Sequence, residues 1–141
     1  TGLGLTTERG EILKGIIESI IYDIRMSIEA LEIIGCSINE FSAVGGGSKS
    51  DAWVQICADI FNRPMVRPRV TQSGALGAAL IAGVGSGVFK DYESGVQAMV
   101  KQKDRFEPDE KNHNRYMHQY EKFLNLRGMT KGFLKELAQE K

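Results

Sequence analysis

Gly45-Gly46-Gly47-Ser48-Lys49-Ser50 is the stretch of this sequence whose residue types and spacing could do chemistry. Consecutive glycines let a backbone turn sharply and approach a ligand with no side chain in the way. The residues after them open an amphipathic helix, whose first N–H groups lack intrahelical partners and carry the positive end of the helix dipole. Phosphate is the natural guest of such a turn, and a nucleotide its natural carrier. Gly45, Gly46, Gly47, Ser48, Lys49 and Ser50 are therefore the candidate binding residues. A tight strand-to-helix turn that binds nothing would use the same glycines, so local pattern alone leaves both readings open.

Two familiar phosphate motifs do not fit. A Walker A loop needs lysine directly after its last glycine, and Ser48 separates Gly47 from Lys49; the dinucleotide fingerprint needs a third glycine where Ser50 stands. Lys49 then reads as an exposed lysine first and a phosphate contact second. Asp51 falls in a first helical turn, where an acid is stabilising on its own account. Asp59 reads as a solvated or structural carboxylate. His113 and His118, five apart, do not share a helix face as a metal-binding pair would, and both read as surface residues. Cys36 and Cys57 have no metal or CxxC spacing, which predicts a reduced, cytoplasmic setting. No metal site is expected.

These candidates must be positioned by a simple order of elements. Apolar residues Leu13, Ile16, Ile17, Ile20, Ile21, Ile24, Ile28 and Leu31 recur at helical spacing and predict one long helix over 7–34 with a single apolar stripe. Gly35 ends it, and a strand over 38–44, closed by buried Ala43 and Val44, enters the glycine turn. A helix over 50–61 presents Trp53, Ile56, Cys57 and Ile60, and Asn62-Arg63-Pro64 stops it before a strand over 65–67. Strand, helix and strand in that order predict a parallel pair with the turn at the carboxyl end of the first strand, where open α/β sheets bind ligands. The glycine- and alanine-rich run from Ser73 to Phe89 predicts a buried helix over 73–86 that something approaches closely. A helix over 91–100 and a helical tail over 109–138 follow.

Composition bounds the function. The chain of 141 residues is 42% hydrophobic, enough for one modest core, and its 18 basic residues balance 18 acidic ones. No net field draws it to nucleic acid or an anionic membrane. The sequence opens at Thr1-Gly2-Leu3-Gly4-Leu5 without methionine, which reads as a cut.

The run from Ala43 to Ile60, followed by Arg63-Pro64 and Ser73-Gly74-Ala75-Leu76-Gly77-Ala78-Ala79, resembles the C-terminal domain of the FGGY carbohydrate kinases. The resemblance takes in Gly2-Leu3-Gly4-Leu5-Thr6, the first helix, Gly87-Val88-Phe89 and Phe106-Glu107-Pro108-Asp109. It implies an α/β chain, part of an actin-like (ribonuclease H-like) ATPase domain with additional C-terminal helices. It also implies ATP and Mg²⁺ as cofactors, with the glycine turn receiving the nucleotide. Gly46 and Ser50 fall where the glycerol kinase branch has a nucleotide-contacting glycine and asparagine. Ser50 departs from that branch and resembles pentulose and other sugar kinases.

By the same resemblance the sugar and the aspartate general base belong mainly to an N-terminal domain, so no catalytic residue is assigned to this chain. The chain then reads as a fragment whose strand 38–44 lacks a neighbour. A small-molecule sugar and, more weakly, a second copy are the implied partners. Two other readings share the fold: an actin-like ATP-binding or regulatory module without sugar phosphorylation, and a structural oligomerisation piece.

Overall fold

The computed structural model describes residues 3–139; Thr1 and Gly2, at the start of the family-like segment, lie outside the described residues. Helix α1 (Arg9–Ile33) leads to strand β1 (Phe41–Ser42), and a single 3-10 turn over Gly47–Lys49 leads into helix α2 (Asp51–Phe61). Strand β2 (Met65–Pro68), helices α3 (Ser73–Gly85) and α4 (Tyr92–Met99), strand β3 (Gln102–Phe106) and helix α5 (Glu110–Gln139) complete the order.

The sheet runs β1-β2-β3. β1 and β2 pair in parallel, Phe41 beside Met65 and Ser42 beside Val66, so the crossover through α2 takes the turn to the carboxyl end of β1. β1 is an edge strand among the described residues. Only its two central residues are strand, although Ala43 N still donates to Val66 O at 2.8 Å; the expected span of 38–44 is corrected to this shorter one. Val44 is exposed, and only Ala43 of the closing pair is buried.

β3 pairs antiparallel with β2, Arg67 opposite Asp104. Its sequence, Gln-Lys-Asp-Arg-Phe, carries no apolar alternation. This strand is held by its ladder and by ion pairs, which periodicity does not reveal.

α2 is the centre of the molecule. Val54, Cys57, Ala58, Asp59, Ile60 and Phe61 are all buried, because α1, α5 and the sheet enclose the helix on several sides. Ser50 Oγ accepts from Trp53 N at 3.3 Å as its N-cap, and Asn62 at φ +52° turns the chain away at its C-terminus. Burying side chains such as Val54 and Ile60 contributes roughly 1.5–3 kcal/mol each. Burial pushes the Cys57 thiol up to about 12. The Tyr22 ring of α1 packs tilted against those of Tyr120 and Phe123 of α5, each with ring centroids 5.5 Å away.

The expected single stripe on α1 divides in two. Ile21 and Ile28 face the core with Ile17 beside them, whereas Leu13, Ile16, Ile20, Ile24 and Leu31 are exposed. The apolar arc is wider than the surface α2 and α5 offer it.

The expectation of a buried helix after Ser73 is corrected by the structure: α3 has no buried residue. It packs on α4 instead. A Cβ at Gly83 would lie 2.5 Å from the Phe89 ring, and one at Gly95 would lie 3.1 Å from the same ring, so Phe89 is wedged between two glycines. The close approach expected of this helix occurs there. Gly74, Gly77 and Gly85 face open space within the described residues.

Candidate functional site

The three glycines of the turn serve three different ends. Gly45 has φ +81°, a left-handed conformation that side chains rarely adopt, and its N–H donates to Thr71 O at 2.9 Å. Gly46 is in ordinary helical geometry, with φ −63°, yet a Cβ there would meet nothing within 4 Å. Gly47 lies against the indole of Trp53, 3.3 Å from where its Cβ would stand. The turn thus bends at Gly45, opens at Gly46 and packs at Gly47.

Hydrogen bonds fix this shape. Lys49 N donates to Gly46 O at 3.2 Å and Ser50 N to Gly47 O at 3.1 Å; the amides of Gly46 and Gly47 donate to none of the turn's backbone bonds. Ser48, one of the candidate binding residues, is buried, and its hydroxyl donates to Gly45 O at 2.7 Å. Its side chain holds the turn. Lys49 and Ser50 are exposed, and the Ser50 hydroxyl, though it accepts from Trp53 N, keeps its own proton to donate. The donors this stretch can offer a ligand are therefore backbone amides, the exposed Ser50 hydroxyl and the exposed Lys49 ammonium, in the turn that leads into α2. That donor set matches a phosphate chain.

Arg67 completes the turn from behind and was invisible to motif reasoning. Its side chain is 6% exposed. Nη1 donates to Ser48 O and to Asp51 Oδ1, both at 2.8 Å, and Nε donates to Asp104 Oδ2 at 2.8 Å, a partner that Nη2 shares. The guanidinium also lies 5.1 Å from the Phe106 ring centroid. Hydrogen bonds to Asp104, then to Asp51, hold Arg67 above its ordinary value, and Arg67 in turn holds the Asp104 carboxyl below the usual range. A charge at the end of the short strand predicted over 65–67 was the signal, since a buried cation requires acid partners.

Two other candidates take structural roles. Asp59 is 1% exposed, not solvated. It accepts from Gln55 Nε2 at 2.7 Å, Asp109 N at 2.9 Å and Asn112 Nδ2 at 3.2 Å, fastening the start of α5 to α2. His113 is corrected from a surface residue to an anchored one, with Nδ1 2.8 Å from Asp59 O. His118 is exposed. Among the described residues, no group of three or more His, Cys, Asp or Glu side chains could hold a metal ion. A cleft of about 370 Å³ flanks the turn on the open side of β1, lined by Ile24, Phe41, Val44 and Trp53 among others, with no charged side chain. Gly47 and Ser48 of the turn also line it, so the cleft adjoins the candidate site.

The family model described as "FGGY family of carbohydrate kinases, C-terminal domain" matches residues 1–86, a span that holds α1, the glycine turn, α2 and α3. The chain belongs to this FGGY family. It is 34% identical over 92% of its length to a xylulose kinase of Staphylococcus epidermidis, and it spans 26% of that relative. A glycerol kinase of Methylorubrum extorquens is 40% identical over 64% of the chain. Among solved structures, the xylulose kinase from Rhodospirillum rubrum matches with a TM-score of 0.79 at 30% identity, covering 94% of this chain and 27% of that one. This FGGY chain thus spans about a quarter of the length of the curated relatives it matches.

Proposed function

We propose that this chain is the C-terminal, ATP-binding part of a sugar kinase that transfers the γ-phosphoryl group of ATP to a hydroxyl of a sugar, of the pentulose class. The observation that carries the reading is the turn itself: a φ +81° glycine, then an open Gly46, at the carboxyl end of a parallel strand and the start of a helix. The match to an FGGY C-terminal domain supports it, as do relatives named xylulose kinase. The fold class within this proposal is the actin-like one, with α5 as an addition.

The amides of Gly46 and Gly47, with the hydroxyl of Ser50, would hold the nucleotide, and Lys49 would add charge. Mg²⁺ would enter with the phosphates, since the described residues offer it no site of their own. The chain contributes positioning and pre-aimed dipoles; it brings no proton-transfer group. The sugar and the general base belong in this reading to a further domain, and the chain alone is inactive. A cytoplasmic setting is part of the same proposal and rests on the free thiols Cys36 and Cys57.

The test is ADP release by the full-length protein with Mg·ATP against pentuloses, hexuloses, gluconate, polyols and glycerol. Stimulation by a pentulose supports the proposal; stimulation by glycerol moves the acceptor class; no stimulation by any, with nucleotide still raising the melting temperature, favours an ATP-binding module. Gly46→Val tests the site. Helical φ makes valine tolerable there and open space leaves the fold undisturbed, so the KM for ATP should rise about tenfold with the sugar KM unchanged. An unchanged ATP dependence would remove the turn from the nucleotide site.

A further inference from the structure

We infer that Arg67 is a positioning residue for the nucleotide site, setting the shape of the glycine turn through the Ser48 carbonyl; this rests on the kinase reading of the turn. Three adjoining glycines give a backbone more freedom than any other sequence, and an unrestrained turn would lose that freedom each time it bound. Something must hold it beforehand. Gly45 N–H is tied to Thr71 O at the start of the turn, and residue 48 is held further along. Its hydroxyl is tied to Gly45 O within the turn, and its carbonyl is tied by Arg67 Nη1 to the body of the molecule.

The guanidinium reaches three segments at once. The same Nη1 that holds Ser48 O also holds Asp51 at the start of α2, and Nε and Nη2 rest on Asp104 of β3. A planar fork fixes the mutual placement of its acceptors, whereas an ammonium, a point charge on a flexible stem, does not. Arg67 therefore registers the turn and the helix N-terminus, the two donors of the anion site, against β3 through Asp104. Burial of the charge adds rigidity more than stability, since buried ion pairs gain little net free energy over apolar packing. The consequence of loosening it should appear in nucleotide binding ahead of folding.

Arg67→Lys keeps the charge and removes the fork. Asp104→Ala is the second variant: it lies on an edge strand, its side chain is 35% exposed, and it reaches the turn only through Arg67. In the full-length protein, the KM for ATP, the KM for xylulose, kcat and the rise in melting temperature with Mg·ADP are measured for each. The expected result is an ATP KM raised about tenfold in Arg67→Lys and about threefold in Asp104→Ala, with the xylulose KM within about twofold of wild type. The double variant should be no worse than Arg67→Lys alone, because both act through one group.

ATP kinetics and an Mg·ADP response equal to wild type in variants that fold would overturn the inference. So would ATP and xylulose KM values rising together in step with lost stability, or loss of folded protein in both variants, since either makes the role structural. If only Arg67→Lys fails to fold, Asp104→Ala decides. A wild type with no nucleotide response overturns the kinase reading and this inference with it; a responding wild type beside equally responding variants overturns this inference alone.

Discussion

α2 and α3 are both predominantly apolar helices, each follows a strand of the same sheet, and their fates are opposite. α2 is buried at Val54 and from Cys57 to its end; α3, which has no charged residue at all, has no buried residue. The difference is in the neighbours and not in the helices. α2 lies between α1, α5 and the sheet, whereas α3 meets α4 and presents the rest of its surface, Ile81 included, outward. Apolar composition says that a helix wants a partner; it does not say that the partner lies in the same stretch of chain.

The widest contrast should come from one substitution in each helix. Ile60→Ala, at a position of zero exposure, should destabilise the protein by about 2–5 kcal/mol in urea unfolding. A loss below about 1 kcal/mol would mean that α2 is not the centre of the core. Gly83→Ala should cost about 1–3 kcal/mol, because Phe89 cannot leave the new methyl without meeting Gly95. This loss should be local: amide exchange should accelerate in α3 and α4 while α2 stays protected.

Acid should loosen both regions. Asp104, beside Arg67, and Asp91, which accepts from Ser94 N at the start of α4, are both held below the ordinary carboxyl range. Each contributes stability above the unfolded value of about 3.9, lost as pH falls through the lower folded value. Unfolding free energy should thus drop below about pH 4, and Asp104→Asn should flatten that slope while leaving α4 as acid-sensitive as before. The smallest effect belongs to the surface of α3. Ile81→Ser should change stability by no more than about 0.5 kcal/mol in this chain; a larger loss would mean that Ile81 is covered in solution.

The sequence carried the helices and the turn well because periodicity and glycine are local signals. Apolar residues from Leu13 to Leu31 at helical spacing required a helix, and the order of apolar run, glycines and helix required a strand-to-helix turn. β3 was hidden, since Gln102, Lys103, Asp104 and Arg105 alternate nothing, and their strand exists only through pairing with a segment some 37 residues earlier. Arg67 was hidden for the same reason: each of its partners is distant in sequence. At the candidate site, the motif named the residues and the structure shows how differently each is placed. Ser48 turns inward, Gly47 receives an indole, and Gly46 is left facing space.

Cys36 and Cys57 give the molecule an internal gauge of its own breathing. The first lies exposed just past α1, and the second is sealed in α2 with its thiol pushed up to about 12 by burial. A thiol reagent should modify the first on mixing, and the second only at the rate at which the core opens. Two labelling phases in one time course would therefore read access and unfolding separately, with no probe to install. Under the proposed function, nucleotide binding should lengthen the slow phase and leave the fast one as it was.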